Sequence, residues 1–385
     1  MKILMVHTNY AERGGEWSVV QSELALLKSN GYNVKELYFD NQKFTALNVL
    51  LLPFNIYSFF KVLAACRGFK PDIVHLHNIH FAASPSVIWA IRLMKIPIVQ
   101  TLHNYRLLCP SGTLFFGGKL YFKSLNRSFP WPAIKDKVYR NSSFLTFWLG
   151  FSTWFNNKIG TWKMISKYIV FTEQGRQLLL NSSLSLGNET IVIKPNFTGK
   201  NPGVSIARND SFLFIGRLST EKGISLLLKA FAHNGLPLTI IGDGPLSHEI
   251  SKSRETNPLI DWRGFQNADV INAELKRCTA VIQPSVCYEG MPVTIIEAFA
   301  SSTPVVASNH GAMERMVEHN YNGLLFEAGS VDDLNFQLTS WINLNAAIKE
   351  TFYANAKKTY QQTYTPEKNI KHLLSVYKSA ITTNA

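Results

Sequence analysis

The chain has 385 residues, 46% of them hydrophobic, and a formal net charge of +13. That length suits two domains with full cores better than one, and the composition excludes collagen-like, low-complexity and disordered chains. Cys66, Cys109, Cys278 and Cys287 form no Cys-x-x-Cys or Cys/His pairing, so neither a zinc site nor a disulfide framework is indicated.

The chain opens on an apolar strand, 2–6, which runs into Arg13-Gly14-Gly15-Glu16 and then a helix with Trp17, Val19, Val20, Leu24, Leu26 and Leu27. A glycine pair between a first strand and a first helix lets the loop approach a phosphate or sugar closely. A turn without a ligand is the plainer alternative. His7 and Asn9 break the opening apolar run, which reads as a strand rather than a signal peptide. Further strands are expected at 33–38 and 72–76. Between them, 46–66 is apolar but carries Asn48, Pro53, Asn55 and Lys61, and reads as core and connecting helix rather than a membrane span.

A strand at 97–102 leads into His103-Asn104-Tyr105-Arg106, and strands at 168–171 and 190–193 follow. A lone histidine after a strand is more often structural than catalytic. Between these strands, Lys119, Lys123, Arg127, Lys135, Lys137 and Arg140 mix with Phe122, Phe129, Trp131 and Tyr139, and aromatics continue from Phe144 to Trp162. Residues 1–195 hold 22 Lys and Arg against 9 Asp and Glu, while 196–385 balance at 17 each, so the net charge belongs to the first half. Mixed basic and aromatic residues suit an anionic membrane surface or a lipid-phosphate acceptor, and a solvated face over an aromatic core is the alternative. No nucleic-acid motif accompanies the charge.

A Pro-, Gly- and Asn-rich break at 194–203 separates a second series of strands at 211–215, 237–241, 258–262, 279–283, 304–307 and 322–325. Alternating strands and helices in both halves imply two parallel sheets covered by helices. The domains expected are 1–195 and 196–365, with a last helix over 366–385.

The strand 211–215 runs into Gly216-Arg217-Leu218-Ser219-Thr220-Glu221-Lys222-Gly223 and then a helix. A glycine turn with two cations at a helix start suits a diphosphate, and both cations are expected on an exposed turn. Leu238-Thr239-Ile240-Ile241-Gly242-Asp243-Gly244-Pro245 is another strand closed by a glycine turn. The most informative stretch is Tyr288-Glu289-Gly290-Met291-Pro292-Val293-Thr294-Ile295-Ile296-Glu297. Pro292 suits the first helical position, and free N–H groups at that helix start form an anion site. Glu289 stands in the loop before it and Glu297 on its flank, where each could accept a hydroxyl hydrogen bond.

These phrases resemble the donor site of retaining glycosyltransferases of family 4, which have the GT-B fold. The resemblance implies two Rossmann-like domains whose parallel sheets face each other across a cleft, with the C-terminal helix crossing back to the first domain. It implies that Arg217 and Lys222 bind the donor diphosphate, that Glu289 contacts the donor sugar and that Glu297 holds the ribose. Gly216, Gly242, Gly290, Met291, Pro292 and Val293 belong to the same donor site, and Gly14 and Gly15 resemble the family's glycine-rich first loop. His103 resembles the histidine beside the reacting sugar, with Asn104 in place of a commoner Asp. At Asn309-His310-Gly311 many relatives have paired glycines, and this chain departs from them.

The activity implied is metal-independent transfer from a UDP- or GDP-linked sugar to a glycan or lipid-linked acceptor, in surface polysaccharide synthesis of bacterial type. No cofactor is expected, and no Asp-x-Asp metal signature occurs. The first domain would bind the acceptor, with Lys119, Lys123, Arg127, Lys135 and Lys137 facing the membrane, in a cytoplasmic protein held peripherally on the inner leaflet. A GT-B sugar-nucleotide epimerase and a non-catalytic nucleotide-sugar-binding scaffold are the alternatives.

Overall fold

A computed structural model describes residues 1–9, 15–41, 46–199 and 207–384. The chain divides into two compact units. One comprises Met1–Phe116, Tyr121–Pro195 and Pro366–Ala385, and the other comprises Asn196–Thr365 with Gly117–Leu120.

The first unit is built on β1 (Lys2–Asn9), β2 (Asn33–Asp40), β3 (Ile73–Leu76) and β4 (Ile98–Thr101). A short hairpin of β5 (Phe115–Phe116) and β6 (Lys119–Leu120) precedes β7 (Lys167–Val170) and β8 (Ile191–Ile193). The six-stranded sheet has the order β2-β1-β3-β4-β7-β8, every pairing parallel. The second unit holds β9 (Phe212–Ile215), β10 (Leu238–Ile241), β11 (Ile260–Trp262), β12 (Ala280–Gln283), β13 (Val305–Ser308) and β14 (Gly323–Phe326). Their order, β11-β10-β9-β12-β13-β14, is the Rossmann order, again all parallel. All twelve strands expected from composition are present. The hairpin was not anticipated, because two-residue strands carry no periodicity to read.

Burial on both sheet faces explains why the strands read as apolar runs. In β9, Phe212 and Phe214 enter a cluster with Leu227, Phe231 and Trp341, while Leu213 enters another with Ile296, Phe299 and Met313. In the first unit the C-terminal helix Pro366–Asn384 buries Ile370, Leu373, Val376 and Tyr377 with Ile3, Met5 and Leu24. The chain's end therefore completes the core of its beginning.

The segment 46–66, expected as core and connecting helix, is core only in part: Leu52, Val62, Leu63 and Cys66 are buried. Helices Ala46–Leu50 and Ile56–Phe69 leave Leu47, Leu50, Ile56, Tyr57 and Phe60 exposed. The end of the first of these helices and the loop after it are pinned to helix Ser143–Lys158 by hydrogen bonds from Trp148 Nε1 to the Val49 carbonyl and from Asn156 Nδ2 to the Pro53 carbonyl. Among the described residues no helix is long and apolar enough to cross a membrane. The aromatic run is divided: Trp162 is buried, Phe147, Phe151 and Trp154 are half-buried, with Phe147 stacked on Phe151 and Trp154 tilted against it, and Phe122, Trp131 and Phe144 are exposed.

Candidate active site

Open parallel sheets bind ligands beyond the carboxyl ends of their strands, where the strand order reverses. In the second unit that point lies between β9 and β12. The loop after β9 begins at Gly216, whose N–H bonds the Ile241 carbonyl, and the loop after β10 begins at Gly242. Gly242 has φ +142, and a Cβ there would lie 1.9 Å from the Gly216 carbonyl oxygen. Gly223 has φ +75, and its Cβ would lie 2.0 Å from the Pro284 carbonyl oxygen. These glycines are what allow the three loops to close on one another.

That closure brings two motifs together. Lys222 Nζ ion-pairs with Glu289 Oε1 at 2.5 Å, across 67 residues of sequence. Ser285 Oγ donates to the same oxygen at 2.7 Å, and Gln283 Nε2 donates to Ser285 Oγ at 2.9 Å. Burial alone would raise the Glu289 carboxyl, but Lys222 and Ser285 outweigh it and hold it below the usual carboxylate range. Burial alone would lower the Lys222 ammonium, but Glu289 outweighs it and raises it. Both groups are therefore charged at neutral pH. Arg217 is exposed, as expected for the turn. Lys222 is not, because its partner draws it inward and only 27% of its side chain is accessible.

The helix carrying Glu297 is Val293–Ala300, and Glu297 is half-buried on its second turn. Pro292 stands immediately before this helix as its cap residue, in an extended conformation (φ −63, ψ 116), rather than at the first helical position. Pro292 itself offers no side-chain cap to the N–H groups of this helix start. Met291 Sδ accepts the Asn196 N–H at 3.3 Å, and Gly290 and Val293 lie in the same stretch. His310, the departure from paired glycines, stacks on Tyr288 and bonds the Cys287 carbonyl through Nε2 at 2.9 Å. Its imidazole thus fastens the Glu289 loop.

The first unit reverses strand order between β1 and β3. Gly14 lies outside the described residues; Gly15 begins helix Gly15–Ser29. His103 follows β4, and its Nε2 lies 3.0 Å from His77 Nδ1. Burial pushes His103 down to about 3, so it is neutral. Around it are residues that sequence reasoning missed. His77 Nε2 lies 3.6 Å, and His75 Nδ1 3.2 Å, from Glu23 Oε1. Glu23 Oε2 pairs with Lys194 Nζ at 2.9 Å, and Lys194 also donates to Asn369 Oδ1. His75 contacts the Tyr377 hydroxyl at 2.7 Å and Thr101 Oγ1 at 2.8 Å. His7 faces Glu16 at 3.7 Å, and burial raises Glu16 to about 8. The available signal was the placement of His7, His75 and His77 at or just beyond the carboxyl ends of β1 and β3.

Glu23, His75 and His77 bring potential metal-ligand atoms within 4.8 Å of one another. The charge there is already met, because the Lys194 ammonium occupies the carboxylate and His75 has a partner at each ring nitrogen. The cluster is a buried ion pair with histidines around it, and it does not fit a metal centre.

Two Rossmann-like units of these topologies define the GT-B class of glycosyltransferases. Residues 203–359 match the model described as Glycosyl transferases group 1, and residues 9–143 match Glycosyltransferase Family 4. The chain belongs to this glycosyltransferase family. It is 25% identical to an uncharacterized glycosyltransferase of Methanocaldococcus jannaschii, over 98% of each chain. It is 29% identical to the UDP-Gal:alpha-D-GlcNAc-diphosphoundecaprenol alpha-1,3-galactosyltransferase of Escherichia coli, over 32% of this chain and 35% of that one. Among solved structures, Anabaena HepE in complex with UDP and glucose superposes with a TM-score of 0.67 at 18% identity, covering 98% of this chain and 100% of that one.

Proposed function

We propose that this glycosyltransferase moves a hexose from a nucleotide-diphosphate sugar, with retention and without a metal, to a lipid-linked or otherwise membrane-presented glycan. The observation that carries the donor half is the Lys222–Glu289 ion pair beyond β9 and β12, with Arg217 exposed on the same loop after β9. Departure of the diphosphate develops negative charge, which Arg217, Lys222 and the helix start at Val293 are suited to stabilise. Glu289 receives a donor-sugar hydroxyl and Glu297 the ribose. The acceptor hydroxyl attacks on the face from which the phosphate leaves, and that phosphate takes its proton. UDP is the first nucleotide to try, because HepE was solved with UDP.

The acceptor half rests on the first unit's surface. Exposed Leu47, Leu50, Tyr57, Phe60, Trp131 and Phe144 accompany Lys123, Arg127, Lys135 and Lys137 in a unit that carries the net positive charge, and Lys119 stands on the short hairpin strand grouped with the second unit. Lys123 pairs with Asp136 at 2.9 Å, leaving the other cations to dominate. Each Lys or Arg near an anionic bilayer is worth about 1 kcal/mol, enough together for peripheral attachment on a cytoplasmic leaflet. The E. coli relative's name specifies a diphosphoundecaprenol-linked acceptor.

Calorimetry with UDP, GDP, ADP and CMP, followed by turnover with the winner's sugars in excess EDTA, tests the donor reading. Activity lost to EDTA and restored by Mg²⁺ would refute metal independence, and epimerisation of the donor alone would identify an epimerase. Nucleotide binding without turnover on any lipid-linked glycan would favour a scaffold. Sedimentation with anionic and neutral vesicles tests the membrane face. Binding should require anionic lipid and weaken with salt. No sedimentation at low salt would leave a freely dissolved acceptor as the better reading.

A further inference from the structure

His103 has two ring nitrogens, and which one bears the proton decides what it can offer a substrate. Its Nε2 lies 3.0 Å from His77 Nδ1, so one of these atoms is the donor and the other the acceptor. The choice is settled one residue further away. His77 Nε2 and Glu23 Oε1 are both buried and face each other at 3.6 Å; Glu23 Oε1 also lies 3.2 Å from His75 Nδ1, whose nearer partner is the Tyr377 hydroxyl at 2.7 Å. Glu23 is ionised, held so by Lys194 at 2.9 Å. A lone pair on His77 Nε2 would point at a buried carboxylate, whereas an N–H there meets it favourably. Burial keeps His77 neutral, so it carries one proton only.

We infer that Glu23 and His77 are positioning residues that lock His103 as its Nε2–H tautomer, presenting an unprotonated Nδ1 to accept a hydrogen bond from a substrate hydroxyl. The carboxylate draws the His77 proton to Nε2, Nδ1 of His77 becomes the acceptor, and His103 Nε2 donates to it. His103 Nδ1 has no hydrogen-bond partner among the described residues. Lys194 and Asn369 hold the far end of the relay, and Asn369 also bonds the Pro195 carbonyl at 2.8 Å. This inference rests on the reading of His103 as substrate-facing, but the tautomer can be read without any activity.

The test is ¹⁵N imidazole NMR of the full chain at neutral pH, with the His103 signals assigned by their loss in His103→Asn. The wild type should show a protonated Nε2 and an unprotonated Nδ1. His77→Ala should abolish that preference and lower kcat by about 10–100-fold, a usual loss when the partner orienting a functional side chain is removed. The KM for the donor should be unchanged. Glu23→Gln combined with Lys194→Met removes both buried charges, and its amide can donate to His77 Nε2. That double variant should reverse the chain, moving the His103 proton to Nδ1. A wild-type His103 protonated at Nδ1 would overturn the proposal, whether or not either variant folds. So would a folded His77→Ala protein with an unchanged His103 signature, which would leave His77 a packing residue.

Discussion

Lys222 and Glu289 each make the other's burial tolerable. An ion pair at 2.5 Å, with 27% and 13% of the two side chains accessible, leaves an uncompensated charge when either partner is removed. Lys222→Ala should therefore lower the melting temperature, while Arg217→Ala on its exposed turn should not. Both should lose turnover by about 10²–10³, the usual cost of one preorganised charge stabiliser. Near-normal turnover in a folded variant would remove that residue from the mechanism. The two carboxylates should separate in kind. Glu297→Ala should weaken binding of the free nucleotide diphosphate, and Glu289→Gln should spare it while losing activity. Calorimetry with the bare nucleotide decides, and equal losses of affinity would contradict the assignment.

At the scale of elements, the donor loops are closed by glycines whose neighbours are backbone atoms. A flexible side chain can swing away from an added Cβ, but the Gly216 carbonyl, 1.9 Å from the Cβ of an alanine at 242, cannot do so without moving the loop that carries Arg217. Gly242→Ala should cost roughly 1–3 kcal/mol of stability, the usual size of local backbone strain, and should weaken nucleotide binding. Denaturant melts and calorimetry measure the two effects. An alanine variant with wild-type stability and affinity would show that these loops shift without consequence. Gly235, with φ +70 and open space around its Cβ position, is the control that separates backbone strain from crowding.

For the whole molecule, six histidines, at positions 7, 77, 80, 103, 310 and 372, are pushed below their ordinary range, in each case chiefly by burial. In the unfolded chain each titrates near 6.5. A lowered folded value means that the unfolded state binds more protons as pH falls below that point. The stability these histidines contribute is thus present above about 6.5 and is lost on acidification toward about 4 for His7 and about 3 for His103. Each of these two should cost about 2 kcal/mol by pH 5. Glu16, raised to about 8, acts in the opposite sense, its contribution being lost as pH rises. One carboxyl does not balance six imidazoles, so the melting temperature should fall steadily from pH 7 to pH 5. A flat profile over that range would mean that the histidines are not buried neutral.

Much of this protein was legible in its sequence because the deciding physics is local. Strands buried on both faces read as apolar runs, so all twelve sheet strands could be placed. Glycine turns announce themselves, so the loops bearing Arg217, Lys222 and Glu289 were found. The Pro292 helix start was missed by one residue, since proline suits either side of that boundary. What the tertiary structure alone decided is which charges meet. Lys194 reads as a cation near a linker, yet it is buried against Glu23, 171 residues away. Tyr377 reads as one aromatic in a terminal helix, yet it bonds His75 across 302 residues. The apolar side chains of 46–66 read as core, yet only some are: Leu52, Val62, Leu63 and Cys66 are buried while Leu47, Leu50, Ile56, Tyr57 and Phe60 are exposed. Burying a polar group is allowed or forbidden by the partner waiting for it, and that partner comes from a distant segment that no local pattern can name.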